Sequence, residues 1–334
     1  MKEKQCIIVA GPTAIGKTAE AIRLAKLYNT YIISADSRQC YRELRIGVAR
    51  PTEYELKEVK HYFIANHSIT ENISAATFAK EASTYLDEIF EDHDVAIVCG
   101  GTGLYIKALV EGLDDIPLIP DEIRVETIRL YKEKGIHALR NKLLDLDPSF
   151  AGRGDIHNPQ RMMRALEVVL FLGKSIFDFH QKRGKGGGRR EEGAGRRDER
   201  RGTRDEEEYK DNNDNNDNDD NKDNNYNNYN NSTITFTYRI IDLPRELLYE
   251  RINQRVDKMI EDGLEEEARS LMEYKELPAL QTVGYKEFFD YFDGKCTREE
   301  AIEKIKQHTR NYAKRQVTWF KRIAVDGCPL TVNR

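Results

Sequence analysis

One segment near the N-terminus, GPTAIGKT (residues 11–18), restricts the fold more than any other part of the sequence. It follows the β-branched run QCIIVA and precedes TAEAIRLAKLY, whose apolar residues have helical spacing. The segment matches G-x-x-x-x-G-K-[ST], in which glycines fold the backbone around a phosphate and a helix N-terminus directs N–H groups at it. The strand–loop–helix context predicts a phosphate-binding loop.

Both side chains and backbone groups of this loop would contact the phosphate. Lys17 would place its charge on the terminal phosphate, and Thr18 would ligate Mg²⁺. The other phosphate-binding positions predicted for this loop are Gly11, Pro12, Thr13, Ala14, Ile15 and Gly16. Such a loop, common in ATP-binding proteins, specifies a phosphate but not a reaction.

An acid at the end of another core strand normally accompanies NTP hydrolysis, because it helps to hold Mg²⁺. The strand-like run DVAIVCGG has no acid at its carboxyl end, whereas TYIISAD ends in Asp36. Carboxyl ends of strands line the ligand crevice in open α/β sheets. We therefore expect Asp36 to face the bound ligand, with a helix-capping or turn aspartate as the alternative.

The order of segments predicts an α/β protein. The apolar runs QCIIVA, TYIISAD and DVAIVCGG alternate with helical segments, which is typical of a parallel sheet covered on both faces. Three consecutive helical segments then occur without strands, before the strand TITFTYRIIDL, an amphipathic helix and a last long helix from about Thr297. The predicted organisation is a parallel sheet core (1–112 and 233–334), a helical insertion (113–182) and a low-complexity segment (183–232).

The stretch Gly184–Asn231 contains almost no aliphatic residue. It begins with an arginine-rich half and ends with an Asp/Asn-rich half, and neither could bury enough apolar surface to offset the entropy of ordering. We therefore predict disorder. The aspartates in this stretch also contribute to the net charge of -5. The net charge therefore does not reveal basic surface elsewhere in the protein.

Cysteine spacing and hydropathy exclude several classes of protein. Cys6, Cys40, Cys99, Cys296 and Cys328 include no CxxC pair, which argues against a zinc site or a disulfide framework. No signal-peptide pattern is present, and no apolar run approaches the ~20 residues of a membrane span. We expect a soluble cytoplasmic protein.

Five separated stretches together resemble the tRNA dimethylallyltransferase (IPP transferase) family, of the bacterial type. They are GPTAIGKT, SADSRQCY…IGVARP, GGTGLY, QRMMRALEV and TVGYKE…TRNYAKRQVTWF. The likeness covers nearly the whole chain outside Gly184–Asn231, and the last stretch is the most specific. It implies a P-loop NTPase-like parallel sheet with a helical insertion domain.

The resemblance implies transfer of a dimethylallyl group from dimethylallyl diphosphate to N6 of the adenosine 3′ to the anticodon. The phosphate loop would hold the diphosphate with Lys17 and Mg²⁺ on Thr18, and Asp36 would act as general base. Thr102 and Arg124 occupy positions at which the family contacts substrate, and both are carried over as catalytic.

The acceptor would be the anticodon stem-loop of tRNA, bound by a monomeric enzyme. The family pattern implies RNA contacts from four segments, which are Asp36, Ser37, Arg38 and Gln39; Gln160, Arg161, Met162, Met163 and Arg164; Gln281, Thr282, Val283, Gly284, Tyr285 and Lys286; and Lys314, Arg315, Gln316, Val317, Thr318, Trp319, Phe320 and Lys321.

Several of these residues have a structural alternative. The basic side chains could form a solvated helix face, Gly284 could serve only a turn, and Tyr285 could only pack. Trp319, the single tryptophan, is more often a core residue than a stacking platform, and we favour a role in anchoring its helix. For Arg255 we favour a surface ion pair with a neighbouring glutamate over contact with the diphosphate.

Two other functions fit parts of the sequence. An isopentenyltransferase acting on free adenine nucleotides would share the phosphate loop and Asp36 but would not need the basic segments QRMMR and AKRQVTWFKR. A small-molecule kinase would use the loop for ATP. The basic segments favour tRNA.

The segment Gly184–Asn231 offers the first test. We favour an inert solvated loop, so its deletion should leave tRNA affinity unchanged at low and at moderate salt. If its arginines contact phosphates, the deletion should weaken binding, most strongly at low salt. Titration of both proteins with tRNA at two salt concentrations separates these outcomes.

Overall fold

The computed structural model describes residues 3–114, 116–179, 234–325 and 330–333. The segment Gly184–Asn231, for which the sequence predicts disorder, lies outside the described residues.

One sheet of six parallel strands organises the core, in the order β3-β2-β4-β1-β5-β6. The strands are β1 (Lys4–Ala10), β2 (Ile32–Ala35), β3 (His61–Tyr62), β4 (Val95–Gly100), β5 (Ile234–Ile241) and β6 (Leu330–Asn333). The parallel sheet with flanking helices is confirmed. The two edge strands, β3 and β6, are short and were not predicted.

Eleven α-helices lie within the described residues. They are α1 (Lys17–Tyr28), α2 (Glu53–Glu58), α3 (Ala75–Asp92), α4 (Gly103–Glu111), α5 (Asp121–Leu146), α6 (Phe150–Arg153), α7 (Pro159–Leu172), α8 (Arg245–Glu261), α9 (Leu264–Ser270), α10 (Tyr285–Phe292) and α11 (Arg298–Val325). Three short 3₁₀ turns add Ile176–Asp178, Met272–Tyr274 and Pro278–Leu280.

The sheet is buried on both faces because its strands are apolar at successive positions. On β1, Cys6 and Ile8 contribute to the larger core cluster, whereas Ile7 and Val9 contribute to a second cluster together with α1. Side chains alternate between the faces of a strand, so one continuous apolar run supplies both clusters.

Contacts divide the chain into two compact units. The first contains the residues up to Leu113 and the C-terminal part of the chain, and the second begins at Asp114. The helical unit has its own apolar cluster, which includes Leu143, Phe150 and Met162. Gly135 interrupts α5 with φ +75°, so this stretch is two helical segments separated by a break.

The last helix, α11, packs against α10, α8 and α4. Thr297 and Glu300 form reciprocal side-chain to backbone hydrogen bonds at its start, of 3.2 and 2.8 Å. Further along, Phe320 is buried, and the indole of Trp319 packs against Gly103 at the start of α4. The indole Nε1 is buried and has no hydrogen-bond partner among the described residues. This placement agrees with the anchoring role favoured for Trp319.

No helix among the described residues combines the length and the apolar character that crossing a bilayer requires.

The contact between Trp319 and Gly103 predicts that one methyl group added at Gly103 destabilises the fold. A Cβ on Gly103 would collide with the indole, so Gly103→Ala should lower the free energy of unfolding by about 1–3 kcal/mol. Gly152 is the control, because its added Cβ would meet nothing within 4 Å. Denaturant unfolding of both variants measures the effect, and equal stabilities would contradict the packing described.

Candidate active site

The phosphate loop joins β1 to α1 in a conformation that depends on its glycines. Gly11 has φ +150°, and a Cβ there would lie 2.7 Å from the carbonyl oxygen of Ile241. Gly16 precedes α1 in the left-handed region at φ +98°. The first turn of α1 therefore directs its free N–H groups and positive dipole end toward the loop, which makes a site for an anion.

Two cations lie at this loop. The Nζ of Lys17 donates a hydrogen bond of 2.7 Å to the Pro12 carbonyl. Burial lowers the pKa of Lys17 to about 8, and the nearby charge of Arg255 also lowers it, whereas the Asp36 carboxylate opposes both effects. Thr18 follows on α1, half-buried, and its hydroxyl makes no hydrogen bond with the described residues. The loop thus presents positive charge and a free hydroxyl, a combination that suits a phosphate.

Asp36 and Thr102 lie at the same edge of the sheet as the loop. Asp36 follows β2, and its Oδ1 accepts hydrogen bonds from the backbone N–H groups of Arg38 (2.9 Å) and Gln39 (3.3 Å). Thr102 follows β4, and its Oγ1 accepts a hydrogen bond of 3.1 Å from the Ser37 N–H. Because β2, β4 and β1 are neighbours, their carboxyl ends bring these residues together. Asp36 Oδ2 makes no hydrogen bond with the described residues, so it can accept a proton.

The environment of Arg255 differs from the surface ion pair that the sequence analysis favoured. Its Nη1 donates a hydrogen bond of 3.3 Å to the hydroxyl of Thr13 in the phosphate loop. Burial lowers the pKa of Arg255, and the Asp36 carboxylate opposes that effect. The hypothesis of a surface ion pair with a neighbouring glutamate is therefore wrong. The burial of Arg255 could have been predicted from its position on α8, because it is next to Val256 and three residues after Ile252, which are both fully buried.

Gln316 on α11 joins two loops of the site. Its Oε1 accepts a hydrogen bond of 2.8 Å from the Thr13 N–H, and its Nε2 donates one of 2.9 Å to the Gly101 carbonyl. The side chain is only 6% exposed. Both ends of the buried Gln316 amide make internal hydrogen bonds, and its RNA contact stays a prediction.

Tyr312 is a further site residue that the sequence did not single out. Its side chain lies close to Thr102, and burial raises the pKa of Tyr312 to about 12, with the charge of Asp36 contributing in the same direction. Tyr312 precedes Gln316 by one helical turn, so the two lie on the same face of α11. That spacing was the signal by which it could have been found.

The outer face of α11 carries the basic residues. Lys314, Arg315, Thr318 and Lys321 are exposed, whereas Phe320 is buried and contributes to the core. Val317 is half-buried against the small cluster around Ile252. Direct RNA contact by Phe320 is therefore not possible in this structure, and contact by the exposed basic residues stays a prediction.

The segment Gln281–Lys286 packs within the core unit. Gly284 has φ +101°, and its N–H donates a hydrogen bond of 2.8 Å to Glu287. Tyr285 is fully buried and donates a hydrogen bond of 2.5 Å to Glu267. The expected RNA contact by Tyr285 is not possible here, because its ring and hydroxyl are enclosed. Gln281, Thr282, Val283 and Lys286 are half-buried, and their RNA contacts stay predictions.

The remaining expected residues belong to the helical unit. Met162 and Met163 are buried in its apolar cluster, so they do not present side chains to RNA. Arg164 pairs with Glu167 at 3.4 Å, and burial raises the pKa of Glu167, with Arg164 and then Arg124 opposing that effect. Arg124 and Arg164 therefore lie around one buried carboxylate. Gln160 is half-buried and Arg161 is exposed. The roles of the polar residues stay predictions.

Comparisons with known proteins agree with this geometry. The model of the IPP transferase family matches residues 39–323. The tRNA dimethylallyltransferase of Cytophaga hutchinsonii is 41% identical over 322 residues, covering 96% of this chain and 91% of the relative. That of Christiangramia forsetii is 42% identical over 317 residues, covering 95% and 90%.

Solved structures support the same fold. The tRNA isopentenylpyrophosphate transferase of Bacillus halodurans is 32% identical with a TM-score of 0.60, covering 99% of this chain and 90% of that chain. A eukaryotic dimethylallyltransferase acting on tRNA has a TM-score of 0.70 at 23% identity, covering 99% and 74%, a likeness of fold alone.

The pKa of Lys17 predicts a pH-dependent anion site. The ammonium form favours a bound anion, and Lys17 loses its proton above about pH 8. Affinity for inorganic diphosphate should therefore fall as pH rises, by roughly tenfold between pH 7 and 9 from this group alone.

The control for this experiment is Lys17→Arg, which keeps its charge across the range. Both proteins are titrated with the same diphosphate by calorimetry, so that ionisation of the ligand cancels in the comparison. Identical pH dependence in the two proteins would show that Lys17 does not titrate as described.

Proposed function

The chain belongs to the IPP transferase family, and from that premise we propose that it transfers a dimethylallyl group from dimethylallyl diphosphate to tRNA. The acceptor is N6 of the adenosine 3′ to the anticodon, and diphosphate is released. The observation that carries the proposal is the meeting of the phosphate loop with Asp36 and Thr102 at one sheet edge.

The donor diphosphate binds in the phosphate loop. The loop N–H groups, Lys17 and Arg255 surround this position with positive charge, which suits an anionic leaving group. Negative charge increases on the diphosphate as its bond to carbon breaks, so these groups stabilise the transition state more than the bound donor.

The acceptor amine attacks the carbon that carries the diphosphate. The new bond forms between N6 and this carbon, and the carbon–oxygen bond breaks with its electron pair leaving on the diphosphate. N6 then has one proton too many, and Asp36 accepts it through the unpaired Oδ2. The two backbone hydrogen bonds to Oδ1 hold the carboxylate in orientation. Because an exocyclic amine is a weak base, positioning contributes more than prior deprotonation.

The residues at the loop fit a Mg²⁺ ion. This ion is commonly held by one or two protein oxygens together with substrate phosphates, and the free hydroxyl of Thr18 meets that requirement. Across the described residues, no group of three His, Cys, Asp or Glu side chains forms a separate metal site. Mg²⁺ on Thr18 would supply further positive charge to the leaving diphosphate.

The target adenosine must leave its stack in the anticodon loop to reach Asp36, at a cost of a few kcal/mol. Contacts with the RNA have to offset that cost. The exposed Lys314, Arg315 and Lys321 on α11 supply positive charge for phosphates, and the same helix contacts the donor site through Gln316. We further propose that the enzyme acts as a monomer in the cytoplasm.

Two other functions are tested together with the proposal. Labelled dimethylallyl diphosphate is incubated with the enzyme and either tRNA or free adenine nucleotides, and a parallel sample receives ATP and tRNA. The proposal expects label in tRNA only. Label on the free nucleotide favours the nucleotide isopentenyltransferase, and phosphate release from ATP favours a kinase.

Asp36→Asn tests the general base while keeping an oxygen that can accept the two backbone hydrogen bonds. It should lower kcat by about 10²–10⁴-fold, the usual contribution of a general base, and change tRNA affinity far less. Single-turnover transfer and tRNA titration measure the two quantities. Asp87→Asn, an exposed change on α3, should leave both unchanged. A comparable loss of turnover and affinity for Asp36→Asn would contradict the role.

A further inference from the structure

The loop of residues 45–50, RIGVAR, borders a depression of about 440 Å³. We call residues 45–50 the basic loop, because an arginine stands at each end. Its two arginines line the depression together with Lys60 and His61, and Glu53 lines it as an acid.

The positive charge of this depression is only partly neutralised. Arg45 approaches Glu53 at 3.5 Å, but both side chains are largely exposed, so solvent screens the pair. Lys60 pairs with Glu88 at 3.0 Å. Arg50 has no carboxylate within 4 Å among the described residues, and its Nη1 donates a hydrogen bond of 3.3 Å to the Arg42 carbonyl.

The two guanidinium groups of the basic loop repel one another. Burial lowers the pKa of Arg50 and the charge of Arg45 lowers it further, whereas Glu267 opposes them. An anion held by both arginines would relieve this repulsion. Arginine is also the side chain whose geometry best matches a phosphate, because its planar fork can donate two hydrogen bonds at once.

The basic loop is held in place from inside the protein. The carboxylate of Glu267 accepts hydrogen bonds from three successive N–H groups, those of Arg45 (3.1 Å), Ile46 (2.9 Å) and Gly47 (3.0 Å). Tyr285 donates its hydroxyl to the same carboxylate, and its ring packs so closely on Gly47 that a Cβ there would lie 2.6 Å from it. The loop is therefore ordered before any ligand binds.

A second set of contacts connects the basic loop to the catalytic aspartate. The Gln39 Nε2 donates hydrogen bonds to the carbonyls of Val48 (3.2 Å) and Ala49 (3.1 Å). The Gln39 backbone N–H donates to Asp36 Oδ1 at 3.3 Å. A nucleotide whose base reaches Asp36 would thus have its flanking backbone near the basic loop.

We propose that the basic loop binds a backbone phosphate of the tRNA beside the modified nucleotide, with Arg45 and Arg50 as its ligands and Glu267 and Tyr285 as positioning residues. The proposal rests on the function proposed above, since it names a further part of the same acceptor site. A phosphodiester is the anion that fits the proposed function, because Gln39 contacts the basic loop through its side chain and Asp36, the proposed general base, through its backbone N–H.

The test measures how tRNA affinity depends on salt. The dissociation constant of wild type, Arg45→Gln, Arg50→Gln and the double variant is determined with an anticodon stem-loop at several salt concentrations. Each lost phosphate contact should reduce the slope of log K against log salt by about 0.7–0.9. Arg23→Gln on α1 is the control, with a side chain of similar exposure (55% against 60% for Arg45), and should keep the wild-type slope. Slopes unchanged in both single variants and the double variant would overturn the proposal.

Tyr285→Phe tests the positioning role separately, since it removes only the hydroxyl that meets Glu267. No charge is lost, so the salt slope should stay at the wild-type value while affinity falls several-fold, because binding must then order the loop. The KM for dimethylallyl diphosphate should not change. Tyr274→Phe, at an exposed tyrosine, should match wild type. Wild-type affinity in Tyr285→Phe, or a changed donor KM, would contradict the positioning role.

The outcome of the salt experiment is separable from that of the proposed function. If wild type transfers no dimethylallyl group to tRNA, the proposed function fails. If wild type transfers the group and the arginine variants bind with its salt slope, only the phosphate site fails. Competition by inorganic phosphate equal to competition by the stem-loop would indicate a small-anion site and would also overturn the assignment to RNA.

Discussion

The amide of Gln316 makes the two hydrogen bonds on which the candidate active site, at the carboxyl ends of β1, β2 and β4, depends. It joins the Thr13 N–H to the Gly101 carbonyl, and so connects the loops that follow β1 and β4. A buried amide without these partners would cost free energy, so the contacts also fix where α11 lies. Thr13 and Gln316 are separated by 303 positions in the sequence. The phosphate loop therefore reaches its described environment only when the last long helix has packed.

This arrangement gives α11 two different faces. The inner face carries Tyr312, Gln316 and Phe320, which contact Thr102, the loops and the core. The outer face carries Lys314, Arg315 and Lys321 in solvent. A sequence motif that extends over both faces therefore mixes residues that contact the loops of the candidate site with residues exposed to solvent, and only the three-dimensional arrangement separates them.

The sequence predicted those parts of the fold that depend on local patterns. The phosphate loop, the central strands and the amphipathic α8 follow from residue spacing alone, because near neighbours in the chain determine each of them. The environment of Arg255 was predicted wrongly, and Tyr312 was not singled out. Both failures have the same cause, because the roles of these residues depend on contacts with distant loops. Tyr285 shows the same limit: its partner Glu267 lies on α9, and nothing in the spacing of TVGYKE indicates that contact. The edge strands β3 and β6 are too short to give a periodic signal.

The glycines after β4 have a consequence for how the sequence can vary. A Cβ on Gly100 would collide with the backbone of Ala35 on β2, and one on Gly101 would collide with the amide of Gln316. Neither neighbour can yield cheaply, since one is a strand and the other is a buried amide that is hydrogen-bonded at both ends. These two positions therefore accept only glycine. Sequence variation near this edge of the sheet has to occur at other positions. A screen for new donor or acceptor specificity would find folded variants in the surrounding segments, whereas changes at these glycines would be lost as unfolded protein.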